Sequence, residues 1–445
     1  MTATHDMTTG RPSRSIVRFA LPLTAGYLLQ QLYTVADAAI VGQQLGVQAL
    51  AAIGASWSVI FLIMGFCNGA CAGFAIPVAQ AFGAGDSRLM RRYAATAVRM
   101  AAYVAAVLTL VTSLACAPIL RMVSTPHDIF HDAYVFLLLQ LLAIPFTMAY
   151  NLLASLIRAL GNAQQPFYYL IAASLLNIAL DLLLIVGMGM GVAGAGIATL
   201  LSQAVAAVLC LRFIHRSMRQ LVPQKGEWKA ERRLTAHLLA NGIPMGLQFS
   251  ITGVGIIMLQ RANNALGTVC VAAFTASMRV KYLFTCVFEN IGATMAVYCG
   301  QNIGARRLDR ITAGLRDALL ISMAYFLITA LIIQPLAPRL MLLFVKPGET
   351  EIIAQAALLI RINCWFYPAL GVLTVLRYSL QGLGYARLSV FSGVMEMLAR
   401  GGVSLLLVPA LHFLGVCYGD PVAWLAADAF LLPALLIALQ RERKR

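Results

Sequence analysis

The sequence predicts an all-α polytopic membrane protein, with twelve transmembrane helices built as two parallel six-helix repeats. Three observations carry this prediction. Of 445 residues, 60% are hydrophobic and only 11% charged, which leaves too little polar surface for a water-soluble chain of this length. The apolar runs are continuous rather than alternating, which excludes a transmembrane β-barrel. Several short motifs also recur once, at a nearly constant displacement.

At ~20 residues per span, the apolar runs resolve in order, the longer ones including interfacial turns. The first helix covers 15–42, behind Arg11, Arg14 and Arg18, and the second covers 49–81. Spans over 91–116, 130–158 and 166–187 follow. The fifth ends at the glycine loop Gly187-Met-Gly-Met-Gly191, after which a sixth span covers 193–214. The segment after it, rich in Arg, Lys and Gln and containing Pro223, reads as a linker. Beyond it come spans at 235–262, 270–300, 311–334, 351–378, 388–411 and 419–440. The expected organisation is an amino-terminal tail (1–14), an N-lobe (15–215), a linker (216–234), a C-lobe (235–440) and a basic tail (441–445).

The net charge of +16 raises the question of nucleic acid, and its placement answers it. Basic residues cluster before the first span, after the second (Arg88, Arg91, Arg92), and between the sixth and seventh (Arg212, Arg216, Arg219, Lys225, Lys229, Arg232, Arg233). They cluster again after the eighth (Arg306, Arg307, Arg310) and at the end (Arg441, Arg443, Lys444, Arg445), while the alternate loops hold chiefly Arg121, Arg339 and Lys346. Every other loop is basic, which is the positive-inside pattern with both termini cytoplasmic. The charge sets topology in a plasma (inner) membrane and contacts anionic lipid; no nucleic-acid partner is expected. The nine cysteines sit in or beside apolar spans without a C-x-x-C pair and read as small packing residues. Ala36-Asp37-Ala38 mimics a signal-cleavage site, but Gln30 and Gln31 interrupt the run before it and cleavage would destroy the repeat, so no removed signal peptide is expected.

The duplication is read from five matches in order. Leu45-Gly46 recurs as Leu266-Gly267, and Gln80-x-x-Gly83-Ala84 as Gln301-x-x-Gly304-Ala305, both 221 residues on. Pro22 pairs with Pro244 at 222; Pro145 with Pro368, and Leu160-Gly161-x-Ala163 with Leu383-Gly384-x-Ala386, at 223. Six spans separate equivalent points, so both copies cross in the same direction. Parallel repeats favour a central cavity and alternating access by rocking.

Asp37 lies inside the first span, and an intramembrane carboxylate is a functional-site hypothesis by default. Asp37 is about eight residues from the outer end of its span; Asp181 lies about eight before the middle of the glycine loop and Thr199 about nine after it. At 1.5 Å per residue all three are roughly 12 Å deep. Asn177, at i−4 from Asp181, shares its face one turn deeper. Two carboxylates, an amide oxygen and a hydroxyl form a hard oxygen set suited to Na⁺. The same carboxylates, desolvated and close together, repel one another and favour taking up H⁺. Structural hydrogen bonding between helices is the competing reading, stronger for Asn177 or Thr199 alone than for two acids at one depth.

Here the sequence resembles the multidrug and toxic compound extrusion (MATE) family, across nearly its whole length. The resemblance rests on Pro22…Asp37-x4-Gly42…Leu45-Gly46-x2-Ala49-x-Ala51-Ala52, Ala79-Gln80-x-Phe82-Gly83-Ala84-Gly85, Asn177-x3-Asp181…Gly194-x-Gly196-x-Ala198-Thr199 and Gly300-Gln301-Asn302-x-Gly304-Ala305. It implies that Asp37, Asn177, Asp181 and Thr199 match an amino-terminal cation site. It also implies export of amphipathic, often cationic organic compounds in exchange for Na⁺ or H⁺, with no cofactor. It further implies a bend of the first helix, for which Pro22 is the hinge candidate. The chain departs from members with a carboxy-lobe Na⁺ site: spans seven and ten offer Gln260 and Asn363 but no carboxylate, and the register partner of Asp37 is Met258. Coupling is therefore expected in the N-lobe alone.

Glu396 and Arg400, i,i+4 in span eleven, are expected to neutralise each other as a structural ion pair. Lys281 and Glu289 are two turns apart in span eight, too far to bond directly, and Asp428 has no partner legible in the sequence. Candidate substrate-cavity residues are Tyr33, Trp57, Phe66, Tyr150 and Tyr168, whose rings suit organic cations, and Glu289. A monomer is expected. Two alternatives remain open: a lipid-linked oligosaccharide flippase, for which only Arg279, Lys281 and Arg400 speak, and an intramembrane transferase. The second lacks H-E-x-x-H, G-x-S-x-G or clustered histidines, so no enzyme is expected.

Overall fold

The computed structural model describes residues 4–123 and 125–444; Arg445 of the basic tail and residues 1–3 of the amino-terminal tail lie outside the described residues. The described residues are all-helical, around twelve spans. A long helix, Pro12–Gly83, is broken at Gly46, whose φ of 84° and ψ of −176° leave the helical region. It divides into α1 (12–45) and α2 (47–83). Then follow α3 (Ser87–Leu114), α4 (Phe130–Leu142 with Ile144–Ala159), α5 (Gln164–Gly187) and α6 (Val192–Ser217). The second series is α7 (Arg232–Asn264), α8 (Thr268–Gly304), α9 (Leu308–Met341), α10 (Thr350–Trp365 with Tyr367–Gly382), α11 (Ala386–Leu411) and α12 (Phe413–Arg443). In hydrocarbon every backbone N–H and C=O must be satisfied within the segment, which is why apolar runs of this length become helices.

The backbone repeats its irregularities at the displacement of the sequence motifs. Left-handed φ occurs at Gly46 and Gly267, Gly85 and Arg306, Gly161 and Gly384, and Gly191 and His412. These pairs are 221, 221, 223 and 221 apart. At Arg306 and His412 the second copy keeps the turn without the glycine that makes it cheap. α4 bends by 41° and α10 by 54°, each just before a proline, Pro145 or Pro368, that begins the second half of the pair. α5 and α11 each widen into a π-helical stretch, at Leu182–Gly187 and Val403–Leu407.

The chain folds into two compact units, and their boundaries are crossed. The first comprises Met1–Asp6 and Leu21–Gly246; the second comprises Met7–Ala20 and Leu247–Arg445. The passages fall beside Pro22 in α1 and Pro244 in α7, the repeat-related prolines. In the first unit, Gly69 and Gly73 of α2 lie against the backbone of α7. An added Cβ would stand 2.5 Å from the Met245 carbonyl oxygen at Gly69, and 2.6 Å from the Gly242 Cα at Gly73. Small residues spaced by four are what permits such an approach between membrane helices.

Both segments taken for tail and linker are anchored. In the second unit Met7 is fully buried, and its N–H donates to Gln301 Oε1 at 2.9 Å. Arg310 donates to the carbonyls of Met7, Thr9 and Gly10, and Ser13 N–H donates to Asp317 at 2.9 Å. In the first unit Arg91 pairs with Glu227 at 2.8 Å and Arg92 with Glu231, while Arg99 donates to the carbonyls of Trp228 and Lys229.

Candidate functional site

The first unit gathers the polar residues of α1, α5 and α6. Asp181 ends the α-helical part of α5, and the π-helical stretch starts at the next residue. A π-helical turn holds an extra residue, so side chains beyond it no longer follow the facing that 3.6-residue spacing gives those before it. Gly194 of α6 packs on that stretch: a Cβ there would lie 3.1 Å from Ile185 Cγ1 and 3.2 Å from the Leu184 backbone. Gly196 similarly admits Leu139, which an added Cβ would meet at 2.7 Å. These contacts set how closely α6, which carries Thr199 just beyond them, approaches α5 and α4.

The Asp37 and Asp181 carboxyl groups are direct neighbours, close enough for one to donate to the other when protonated. The Tyr33 side chain, one turn from Asp37, interacts with Thr199 and with both carboxyls. Thr199 Oγ1 donates to the Ala195 carbonyl at 3.1 Å, which leaves its lone pairs available. Asp181 and Asn177 are 0% and 2% exposed. Neither carboxylate oxygen of Asp181 and neither amide atom of Asn177 has a hydrogen-bond partner among the described residues. Buried polar atoms are normally satisfied, so a carboxylate and an amide one turn apart on one face, both wholly unpartnered, mark a place built for something else. Three of the four atoms left over are oxygens, which fits a small hard cation, the fourth being the Asn177 amide nitrogen; the paired carboxyls equally fit a shared proton. Gln203, one turn beyond Thr199 on α6, also has a buried and unpartnered Oε1. Sequence reasoning passed it over, although i,i+4 from Thr199 is the spacing that linked Asn177 to Asp181.

The candidate cavity aromatics scatter. Trp57 and Tyr168 are exposed, Tyr168 against the Phe167 ring at 5.6 Å, and Phe66 packs where Gly246 leaves room. Tyr150 is buried, its hydroxyl donating to the Pro166 carbonyl at 3.3 Å.

The second unit carries a different constellation. Arg400 reaches Glu396 at 3.2 Å and Asp420 at 3.0 Å; Lys281 also pairs with Asp420, and Arg377 pairs with Glu396. Arg377 Nε donates to Ser392 Oγ at 3.0 Å, and the Tyr378 hydroxyl to Glu289 at 3.2 Å. The Glu396–Arg400 pair is thus two links of a longer chain that sequence reading missed at Arg377 and Asp420. Asp420 was findable, because it stands 221 residues from Thr199 and so occupies the register position of a site residue. Asn363 donates to the carbonyls of Leu359 and Cys417, and Gln260 is exposed.

Known proteins share this architecture. The MatE family profile matches residues 22–183 and 244–403, one segment in each repeat. A probable multidrug resistance protein, YoeA of Bacillus subtilis (strain 168), is 25% identical over 92% of this chain and 90% of its own length. A multidrug resistance MATE family transporter of the MOP superfamily, solved in an outward-facing conformation, superposes with a TM-score of 0.92 at 21% identity, covering 99% of this chain and 98% of that one. A crystal structure of MATE in the bent conformation gives 0.91 at 22% identity, covering 98% of each. With both halves matched by the profile and twelve helices in repeat register, the chain is a multi-pass membrane protein that belongs to the MATE family of multidrug efflux transporters.

Proposed function

We propose that the chain exports amphipathic, often cationic organic compounds by antiport, with Na⁺ or H⁺ held by Asp37, Asn177, Asp181 and Thr199. One observation carries the reading: buried, unpartnered oxygens of Asp181 and Asn177 stand beside a second carboxyl in an apolar helical unit. An ionised carboxylate without donors in that setting is costly, so it holds a positive charge, a proton or a metal cation, whenever water is excluded. Exchange follows from that. Reaching an ion-rich aqueous side lets the site load; loading changes how α1 packs beside α5 and α6.

The hinge belongs to the same reading. Pro22 removes a backbone hydrogen bond fifteen residues before Asp37 and lies at the passage of α1 from one unit to the other. A related transporter has been solved with a bent conformation. Residues 15–215 and 235–440 form the moving lobes of a monomer. The basic ends, with the segment 216–234 and both termini, face the cytoplasm across the inner membrane. In the second unit Lys281, Arg377 and Arg400 are all engaged with carboxylates, which favours drug export over recognition of a pyrophosphate-linked oligosaccharide.

The test is uptake of a fluorescent organic cation into proteoliposomes under separately imposed Na⁺ and pH gradients. Wild type should accumulate substrate under one gradient, and Asp37→Asn and Asp181→Asn should not. Thr199→Val should weaken ion affinity by less.

A further inference from the structure

We propose that Asp428 is a second proton-binding carboxyl, in the carboxy-terminal unit. The inference rests on the antiport reading for its use in transport, and on the charge count of the buried cluster for its existence. Three cations, Lys281, Arg377 and Arg400, meet four carboxylates, Glu289, Glu396, Asp420 and Asp428, of which Glu289 and Asp428 sense both Arg377 and Glu396. With every group ionised the cluster carries one uncompensated negative charge inside a bundle of apolar helices, which hydrocarbon does not tolerate.

Connectivity decides where the balancing charge sits. Asp420 is bridged by Lys281 and Arg400, and Glu396 by Arg400 and Arg377. Glu289 receives the Tyr378 hydroxyl. Asp428 alone is left: it is 7% exposed, and its Oδ1 has no hydrogen-bond partner. Facing it, α10 offers Arg377, already paired with Glu396, and α11 offers Glu396, whose negative charge repels a carboxylate. A metal cation needs several oxygen ligands where a proton needs one, and the group left over is a single carboxyl, so the charge taken up is a proton. The step balances simply: the Asp428 carboxylate binds one H⁺ from water as an O–H bond, and releases it to water when the cluster is hydrated or when an organic cation takes its place.

In the repeat register this cluster stands where the first unit keeps its cation set, since Asp420 corresponds to Thr199. The second copy has exchanged two open carboxyls for a mixed-charge network with one acid in excess.

The experiment is a pH-difference infrared spectrum of reconstituted protein, read at the carbonyl stretch of protonated carboxylic acids, with potentiometric proton counts on the same samples. Asp428→Asn should remove one acid band and reduce proton uptake by one per chain, both in the wild-type background and in Asp37→Asn. Asp428→Glu should return the band at a shifted frequency, which shows that the loss reports the acid rather than misfolding. Unchanged band and proton count in Asp428→Asn would overturn the proposal. Its failure is distinguishable from failure of the amino-unit reading, because Asp37→Asn and Asp181→Asn are scored separately by gradient-driven transport.

Discussion

Asp181→Asn and Glu396→Gln make the same chemical change in two buried carboxylates, and the structure predicts opposite consequences. Apart from a protonated Asp37 the protein offers Asp181 no hydrogen-bond donor, so the amide gives up no bond that holds the fold and relieves the burial of a charge beside Asp37. Its stability should be unchanged or raised, by up to about 2 kcal/mol. Glu396 bridges Arg377 and Arg400, whose side chains are 5% and 4% exposed. Removing one partner of a buried pair costs about 3–5 kcal/mol. The glutamine oxygen still accepts one of the bonds, which puts the loss near the lower end, about 3 kcal/mol. At about 2–4 °C per kcal/mol for a unit of this size, the melting temperature should fall by about 6–12 °C. Thermal melts in detergent, followed by size-exclusion of the heated samples, measure both. The two variants should separate again in proteoliposomes, where Asp181→Asn is stable but uncoupled. If Asp181→Asn melts as low as Glu396→Gln, its carboxylate holds the fold and the ion-site argument is wrong.

Pro22→Ala restores a helical hydrogen bond in α1 and should slow turnover more than it weakens equilibrium substrate binding; unchanged turnover would leave Pro22 a passive kink. Gly69→Leu drives a side chain into the Met245 backbone, 2.5 Å from the site of its Cβ, and should abolish folded yield, whereas Gly54→Leu, with nothing within 4 Å, should not. Arg91 donates to Glu227 and holds that carboxyl below its ordinary range. The sign follows: the pair contributes fully above the unfolded value and is lost as pH falls through the folded one. Limited proteolysis between Lys225 and Lys229 should therefore be slow near neutrality and speed up in acid, and Glu227→Gln should cleave quickly at both.

Much of the fold was legible because hydrophobic length dictates it. The span positions and the break near Gly46 follow from apolar runs and from residues that cannot continue a helix; Pro145 and Pro368 were read only as a repeat match, and the bends beside them came with the structure. The repeat was visible in motifs and is deeper in the backbone: Arg306 and His412 repeat the left-handed turns of Gly85 and Gly191 without sharing their residue type, so sequence matching passes over them. The crossing of α1 and α7 between units was not legible, since tertiary contacts decide it. For the candidate site, depth counting singled out Asp37, Asp181 and Thr199, because equal distance from a span end is a sequence quantity, and i,i+4 spacing added Asn177. Arg377 and Asp420 escaped for a different reason: ion pairs between α8, α10, α11 and α12 join residues up to 139 apart, and no local spacing announces them.

The central claim is that the amino-unit carboxyls couple ion movement to export, as distinct from carrying substrate. Substrate counterflow tests it most directly: proteoliposomes loaded with unlabelled organic cation exchange it for labelled cation with no ion gradient imposed, and the same vesicles are then driven by one. Asp37→Asn should retain counterflow at a rate comparable to wild type and lose gradient-driven accumulation. Accumulation at the wild-type level by Asp37→Asn and Asp181→Asn under the same gradient would contradict the account.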